Sequence, residues 1–159
     1  GIGKYYHDYS KSNYCVYFAE VEVDLETGET KLINVAAGSD VGQVIDPATL
    51  EMQFHGGFGA AAADSGMMEE NVLDKTNGRL MTTSLIDYKW RPFNEFPPID
   101  LVIEESLPEI SRWKAVGLGE ISGAPGPAAM MMAISNAIGV DYCKYPADRE
   151  SILKAIGKL

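Results

Sequence analysis

The sequence predicts an α+β domain in which an antiparallel sheet packs against helices. Three observations predict it. Residues 15–24 alternate, with Ala19, Val21 and Val23 on one face and Glu20, Glu22 and Asp24 on the other, as a half-buried strand does. Asp46-Pro47 reads as the start of a helix, and residues 127–138 are nearly all Ala, Met and Ile. The order strand, strand, helix, strand, helix is that of an α+β sandwich.

Each element has a local reason. The first strand ends at Leu25-Glu26-Thr27-Gly28-Glu29, a turn in which Gly28 suits positive φ. A second strand over residues 30–37 completes an antiparallel hairpin, and residues 38–42 (Gly-Ser-Asp-Val-Gly) are expected to break it. Asp46 is the expected N-cap of the next helix, with Pro47 in its first turn. That helix is expected to run to about Gly66. It carries Gly56, Gly57 and Gly59, each costing about 1 kcal/mol against Ala, which is tolerated where a backbone or a ligand packs closely. Residues 71–83 read as loop with a turn at Asn77-Gly78. Residues 88–98 are expected to be extended, because Pro92, Pro97 and Pro98 exclude a helix. Ile99, Leu101 and Ile103 alternate with Asp100, Val102 and Glu104 as a third strand. The apolar helix is expected to be buried on most sides and to end at Gly139. A short amphipathic helix over residues 148–156 closes the chain.

The totals narrow the function. All 159 residues fit one domain, residues 1–159, large enough for a real core. The net charge of -10 argues against a nucleic-acid partner, since phosphate binding needs clustered Lys and Arg. Cys15 and Cys143 form no CxxC, so neither a disulfide framework nor a zinc site is indicated. No run of 18 apolar residues suggests a membrane span, and a cytoplasmic location is expected. The chain begins with Gly1 rather than Met, so a fragment or a processed piece is expected.

The run Gly117-Leu118-Gly119-Glu120-Ile121-Ser122-Gly123-Ala124-Pro125-Gly126-Pro127 places one carboxylate in a loop of small residues just before the apolar helix. Gly117 and Gly119 allow close backbone approach. A carboxylate in a dry cleft has its pKa raised by desolvation and can then accept a proton near neutrality. The helix that follows would favour an anion or a polarised oxygen nearby. The bland alternative is a connector with a surface acid. Gln53 offers two donors and an acceptor beside the helix glycines, enough to orient a heteroatom-rich ligand; the alternative is an exposed helical Gln. His55 has no partners with metal-ligand spacing, and the three methionines 130–132 read as core filler. The glycines match neither a P-loop nor the dinucleotide fingerprint, and no nucleophile–base set stands out.

Five segments, in order, resemble the xanthine oxidase (molybdenum hydroxylase) family near the C-terminus of its molybdopterin-binding large subunit. Residues 19–24 with Thr27-Gly28-Glu29 are similar to its "VEVDxxTGE" hairpin. Asp40-Val41-Gly42 with Asp46-Pro47 is similar to "DxGxxxNP", with Asp for the usual Asn. Gln53-Phe54-His55-Gly56-Gly57 matches "GQxxGG", with Met52 where Gly is usual. Asp87-Tyr88 and Phe96-Pro97-Pro98 match a "DY…P" region, and Gly119-Glu120 through Gly139 match the closing "GVGE…" block. The resemblance spans residues 5–155. The departure of residues 119–127 from the commoner "GEPP" form brings them nearer to bacterial multi-subunit members acting on N-heterocycles.

The resemblance implies an oxidoreductase that hydroxylates an sp2 carbon of an N-heterocycle or aldehyde with oxygen from water. The implied cofactor is a molybdopterin, in some members a dinucleotide, carrying molybdenum held by the pterin and not by protein side chains. Glu120 is implied as the catalytic base. Gln53 is implied at the pterin end, with Gly56, Gly57 and Gly119 around it. Iron-sulfur clusters and FAD are implied on other domains or subunits, and a small molecule as substrate. Because the family's molybdenum portion is several times longer, the remainder of that portion is an implied partner, and the piece alone is expected to be inactive. A non-catalytic interaction domain and a hydroxybenzoyl-CoA reductase-like enzyme are the alternatives. A large exposed apolar or glycine-lined surface is expected where the rest would dock.

Overall fold

The computed structural model describes residues 13–59, 71–88, 91–106 and 113–159. Strand β1 (Tyr14–Val23) and β2 (Thr30–Asp40) form the antiparallel hairpin. Its turn closes on Gly28 at φ 73°, with Gly28 N–H donating to the Asp24 carbonyl at 2.7 Å. Inward positions alternate along β1 through Cys15, Tyr17, Ala19, Val21 and Val23, the same face the sequence selects. A register shift between Glu20 and Val21 inserts a bulge.

The α+β class holds, with one change to the sheet. Strand β3 (Ile99–Glu104) joins β2 in parallel, so the order β1-β2-β3 is mixed and not wholly antiparallel. The long connection between β2 and β3, which contains a helix, returns the chain in its original direction, as a parallel crossover requires. The expected break at residues 38–40 is also corrected. Gly38, Ser39 and Asp40 pair with both neighbours. A Cβ on Gly38 would come within 3.2 Å of Val16 Cγ1, so a bare backbone suits the strand centre here. The chain turns at Gly42, φ 61°.

Helix α1 (Pro47–Gly57) starts as expected: Asp46 Oδ1 accepts from the Ala48 and Thr49 amides at 3.0 and 3.3 Å. The α-helical hydrogen bonding ends at Gly57 and passes into a wider turn at 58–59; the further extension toward Gly66 lies outside the described residues. The expected loop at 71–83 contains a tight hairpin-like turn, with Leu73 bridged to Leu80 and Gly78 at φ 73°.

Helix α2 (Gly126–Ile138) ends on Gly139 at φ 68°. It is buried along one stripe, Met130 and Ile134, and not on most sides; Met132 is 72% exposed. Helix α3 (Arg149–Ala155) is capped by Asp148.

Two apolar clusters result. One gathers Tyr17, Val35, Phe54, Phe58 and Met130 between sheet and helices. The other gathers Ile134, Tyr142, Ala147 and Ile152 at the far end of α2. Arg149 with Glu29, at 3.1 Å, ties α3 to the hairpin tip, and Lys158, past the end of α3, pairs with Glu26 at the same tip. The sheet's other face leaves Tyr14, Val16, Phe18 and Val102 exposed. Among the described residues no helix is long and apolar enough to cross a membrane.

Candidate functional site

The loop bearing Glu120 is positioned by the strand end that precedes α1. Residues 115–116 run against 41–43: Val116 N–H donates to the Val41 carbonyl at 2.9 Å and Gln43 N–H to the Lys114 carbonyl at 2.7 Å. The turn at Gly42 is itself held by Asp40, whose Oδ1 accepts from the Gly42 amide at 3.0 Å and from the Ser106 amide at 3.3 Å, while Ser106 Oγ donates to its Oδ2. The Ser106 hydroxyl and the Gly42 amide favour the charged form and hold the Asp40 carboxyl below its ordinary pKa. The acid-x-glycine pattern legible in the sequence thus fixes the entry to the site.

Beyond Gly117 the chain makes a single 3-10 turn over Gly119–Ser122. Gly119 has φ 42°, a conformation that glycine adopts without strain. Three side chains from the first third of the sequence bind this loop. Asn13 Nδ2 donates to the Gly117 carbonyl at 3.0 Å. Gln53 Nε2 donates to the Gly119 carbonyl at 3.0 Å and to Ser122 Oγ at 3.2 Å. Tyr17 Oη donates to the Ser122 carbonyl at 2.5 Å. Ser122 Oγ closes the set by donating to the Gly119 carbonyl at 3.0 Å. Burial beside Cys15 pushes the Tyr17 phenol well above its ordinary pKa, so it stays a donor.

Glu120 stands inside this frame. Its main-chain carbonyl accepts from the Gly123 and Ala124 amides at 3.0 and 3.2 Å. Its side chain is exposed, so the dry cleft expected around it is not supplied by these residues. Among the described residues the carboxylate enters no salt bridge.

The structure brings Gln53, Gly57, Gly119 and Glu120 together and separates Gly56 from them. A Cβ on Gly57 would overlap Ser122 Oγ and lie 2.9 Å from Ser122 C and 3.0 Å from Gly123 N. Close backbone packing therefore accounts for that glycine. Gly56 faces a different, largely apolar pocket of about 780 Å³ with His55, Phe58, Arg91, Phe96 and Pro97. His55, half-buried, lies 3.8 Å from exposed Glu51 one helical turn away. Gln53 and Gly119 line a second pocket, of about 380 Å³, with Thr49, Leu50, Val116 and Leu118. No described atom lies within 4 Å of a Cβ built on Gly117 or Gly119.

Ser122, Tyr17 and Asn13 are absent from the sequence-based candidates. Tyr17 occupies an inward position of β1, and Ser122 is the one hydroxyl in the glycine-rich run. Those were the available signals.

A family model described as a molybdopterin cofactor-binding domain matches residues 3–97. The chain is 33% identical over 139 residues to a probable xanthine dehydrogenase subunit of Bacillus subtilis (strain 168), covering 87% of this chain and 18% of that protein. It is 32% identical over 142 residues to the gamma subunit of the 6-hydroxypseudooxynicotine dehydrogenase complex of Paenarthrobacter nicotinovorans, covering 87% and 18%. The solved structure of quinoline 2-oxidoreductase from Pseudomonas putida 86 superposes with a TM-score of 0.77 at 28% identity, covering 86% of this chain and 17% of that one. The chain therefore spans less than a fifth of the length of each of these three relatives.

Proposed function

The chain belongs to the molybdopterin cofactor-binding domain family of the molybdenum hydroxylases, and on that premise we propose that it supplies a proton-accepting carboxylate, Glu120, and one wall of the cofactor site to a larger molybdenum-dependent hydroxylase. The substrate class is an N-heterocycle or an aldehyde, oxidised at an sp2 carbon with oxygen from water.

The observation that carries this reading is the contrast between Glu120 and its surroundings. The main chain on both sides of it is pinned by buried or pocket-lining side chains, whereas its carboxylate is exposed and, among the described residues, in no salt bridge. A surface connector has no need of three long-range side-chain bonds to its carbonyls.

The residues fit a pterin in their chemistry. Gln53 and the bare backbone at Gly119 line a pocket of about 380 Å³ with apolar flanks, which suits a flat heterocycle rich in donors and acceptors. Gln53 and Gly119 form this wall, whereas Gly57 is taken up by packing against Ser122 and Gly56 faces the separate pocket beside His55. When bound, the molybdopterin group supplies the two-electron acceptor. Glu120 takes the proton from the oxygen that is transferred, and the fixed Gly119–Ser122 turn keeps its carboxylate in one place while it does so.

The remaining partners follow from the chain's share of its relatives. The rest of the molybdenum portion would cover Glu120 and exclude water, and the apolar face bearing Tyr14, Val16, Phe18 and Val102 offers it a docking surface. Iron-sulfur and flavin domains or subunits would then take the electrons.

The test is Glu120→Gln in the complete enzyme. Hydroxylation of an N-heterocycle panel is expected to fall by about 10²–10⁴-fold, the usual weight of a general base, at unchanged molybdenum content. Full activity in the variant removes the base assignment. Absence of any molybdenum from the parent enzyme favours the non-catalytic scaffold, and reduction of an aromatic thioester favours the reductase alternative.

A further inference from the structure

We infer that Gln53 is a positioning residue, which holds the Gly119 carbonyl and the Ser122 hydroxyl and so sets where Glu120 stands. The inference rests on the reading of Glu120 as the base, and it assigns Gln53 a different task from that of a direct pterin ligand.

The donor inventory carries it. A glutamine amide nitrogen has two protons. Here the nitrogen lies 3.0 Å from Gly119 O and 3.2 Å from Ser122 Oγ, so it bonds both sides of the turn at once. A main-chain carbonyl only accepts, so the amide nitrogen, and not Oε1, must face it. Ser122 Oγ, having accepted from Gln53, gives its own proton to the same Gly119 carbonyl at 3.0 Å. The three groups form a closed triangle. Turning the amide toward a ligand would strip a partner from Ser122, a fully buried residue, and an unmade bond at a buried polar group is costly.

The triangle encloses the base on the N-terminal side, and Tyr17 holds it on the other. Glu120 lies between Gly119, bonded by Gln53, and Ser122, whose carbonyl is bonded by Tyr17 at 2.5 Å. Gly57, one turn along α1 from Gln53, admits Ser122 and Gly123 against the helix where a Cβ would overlap them. Gln53 and Gly57 therefore act as a pair: one makes the contact possible and the other bonds across it.

Gln53→Met in the complete, cofactor-loaded enzyme separates the two tasks. Methionine keeps the length and removes both donors. Three quantities are measured: molybdenum and pterin content, hydrogen exchange at the Gly123 and Ala124 amides that bond the Glu120 carbonyl, and single-turnover hydroxylation. The positioning role predicts unchanged content and exchange at least tenfold faster. It also predicts a rate reduced about 10–100-fold, as a small misplacement of a reacting group produces. It further predicts that Gln53→Met with Glu120→Gln is no slower than Glu120→Gln alone. Loss of cofactor content with unchanged exchange would overturn it, as would multiplying losses in the double variant. If Glu120→Gln keeps full activity, the base reading fails by itself, and exchange and content still decide whether Gln53 holds the loop. Ser122→Ala, which removes one side of the triangle, is expected to show the same pattern more weakly and serves if Gln53→Met does not fold.

Discussion

Among the described residues each apolar cluster carries a tyrosine–serine junction, and the pair end differently. In the first, Tyr17 bonds the Ser122 main chain, and the Ser122 hydroxyl is shared between Gln53 and Gly119. In the second, Tyr142 Oη and Ser151 Oγ meet at 2.5 Å, Ser151 Oγ donates to the Asp148 carbonyl at 2.8 Å, and Ser135 Oγ donates to the Tyr142 carbonyl at 3.0 Å. Burial raises the phenol's pKa in both. The second junction closes on itself: Asp148 caps α3, and its carboxylate pairs with Lys144 at 2.7 Å. The first junction devotes comparable bonding to a loop whose acid is left out of every salt bridge among the described residues. The same chemistry caps a helix in one place and presents a carboxylate in the other.

That contrast can be broken or sharpened by substitution in the full-length subunit. The largest effect is expected from Glu120→Gln beside Glu150→Gln, an exposed acid of the second region paired with Lys154. The first variant should lose about 10²–10⁴-fold in turnover with an unchanged unfolding midpoint. The second should leave turnover as it was, and equal losses would dissolve the distinction. Next comes Ile152→Ala. Ile152 is fully buried in the second cluster, and the lost packing should lower unfolding free energy by about 2–5 kcal/mol without changing the rate per folded molecule.

Gly57→Ala comes next, because its Cβ would press on Ser122 and the Gly123 main chain. Overpacking against Ser122 is expected to destabilise by about 1–3 kcal/mol, and here turnover should fall as well, since the loop that moves carries Glu120. The smallest effect concerns pH. Burial works to raise the Asp148 pKa, but bonds from Lys144 and Ser151 outweigh it and hold the carboxyl below its ordinary value. A depressed folded pKa gives stability that is present above the unfolded value, about 4, and is lost as pH falls through the folded one. Asp148→Asn should therefore lower stability modestly near neutrality, where that contribution is fully present, and flatten the profile below about pH 4.

Much of this was legible in local chemistry. The turn at Gly28, the Asp46 cap, the stop at Gly139 and the inward faces of β1 and β3 each depend on residues within a few positions of one another. Glu120 and Gln53 were legible as candidates because each stands among glycines. Their meeting was not, because it depends on how α1 lies against a loop that follows Gln53 by 66 positions in the chain. The parallel pairing of β3 was hidden for the same reason. Gly38 misled because a glycine between strands resembles a terminator until the Val16 neighbour is known. Met132 misled because apolar composition does not say which stripe of a helix is covered. Gly56 and Gly57 looked equivalent in sequence, and only the packing of Ser122 and Gly123 tells them apart.

The most direct measurement is a crystal structure of the cofactor-loaded full-length subunit at a resolution that fixes side chains. The expected result places the Glu120 carboxylate within hydrogen-bond reach of the molybdenum's oxygen ligands, about 2.6–3.2 Å or one water away, with Gln53 still bonded to Gly119 and Ser122. A Glu120 carboxylate locked onto an Arg or Lys of the covering domain, turned away from the cofactor, would contradict it.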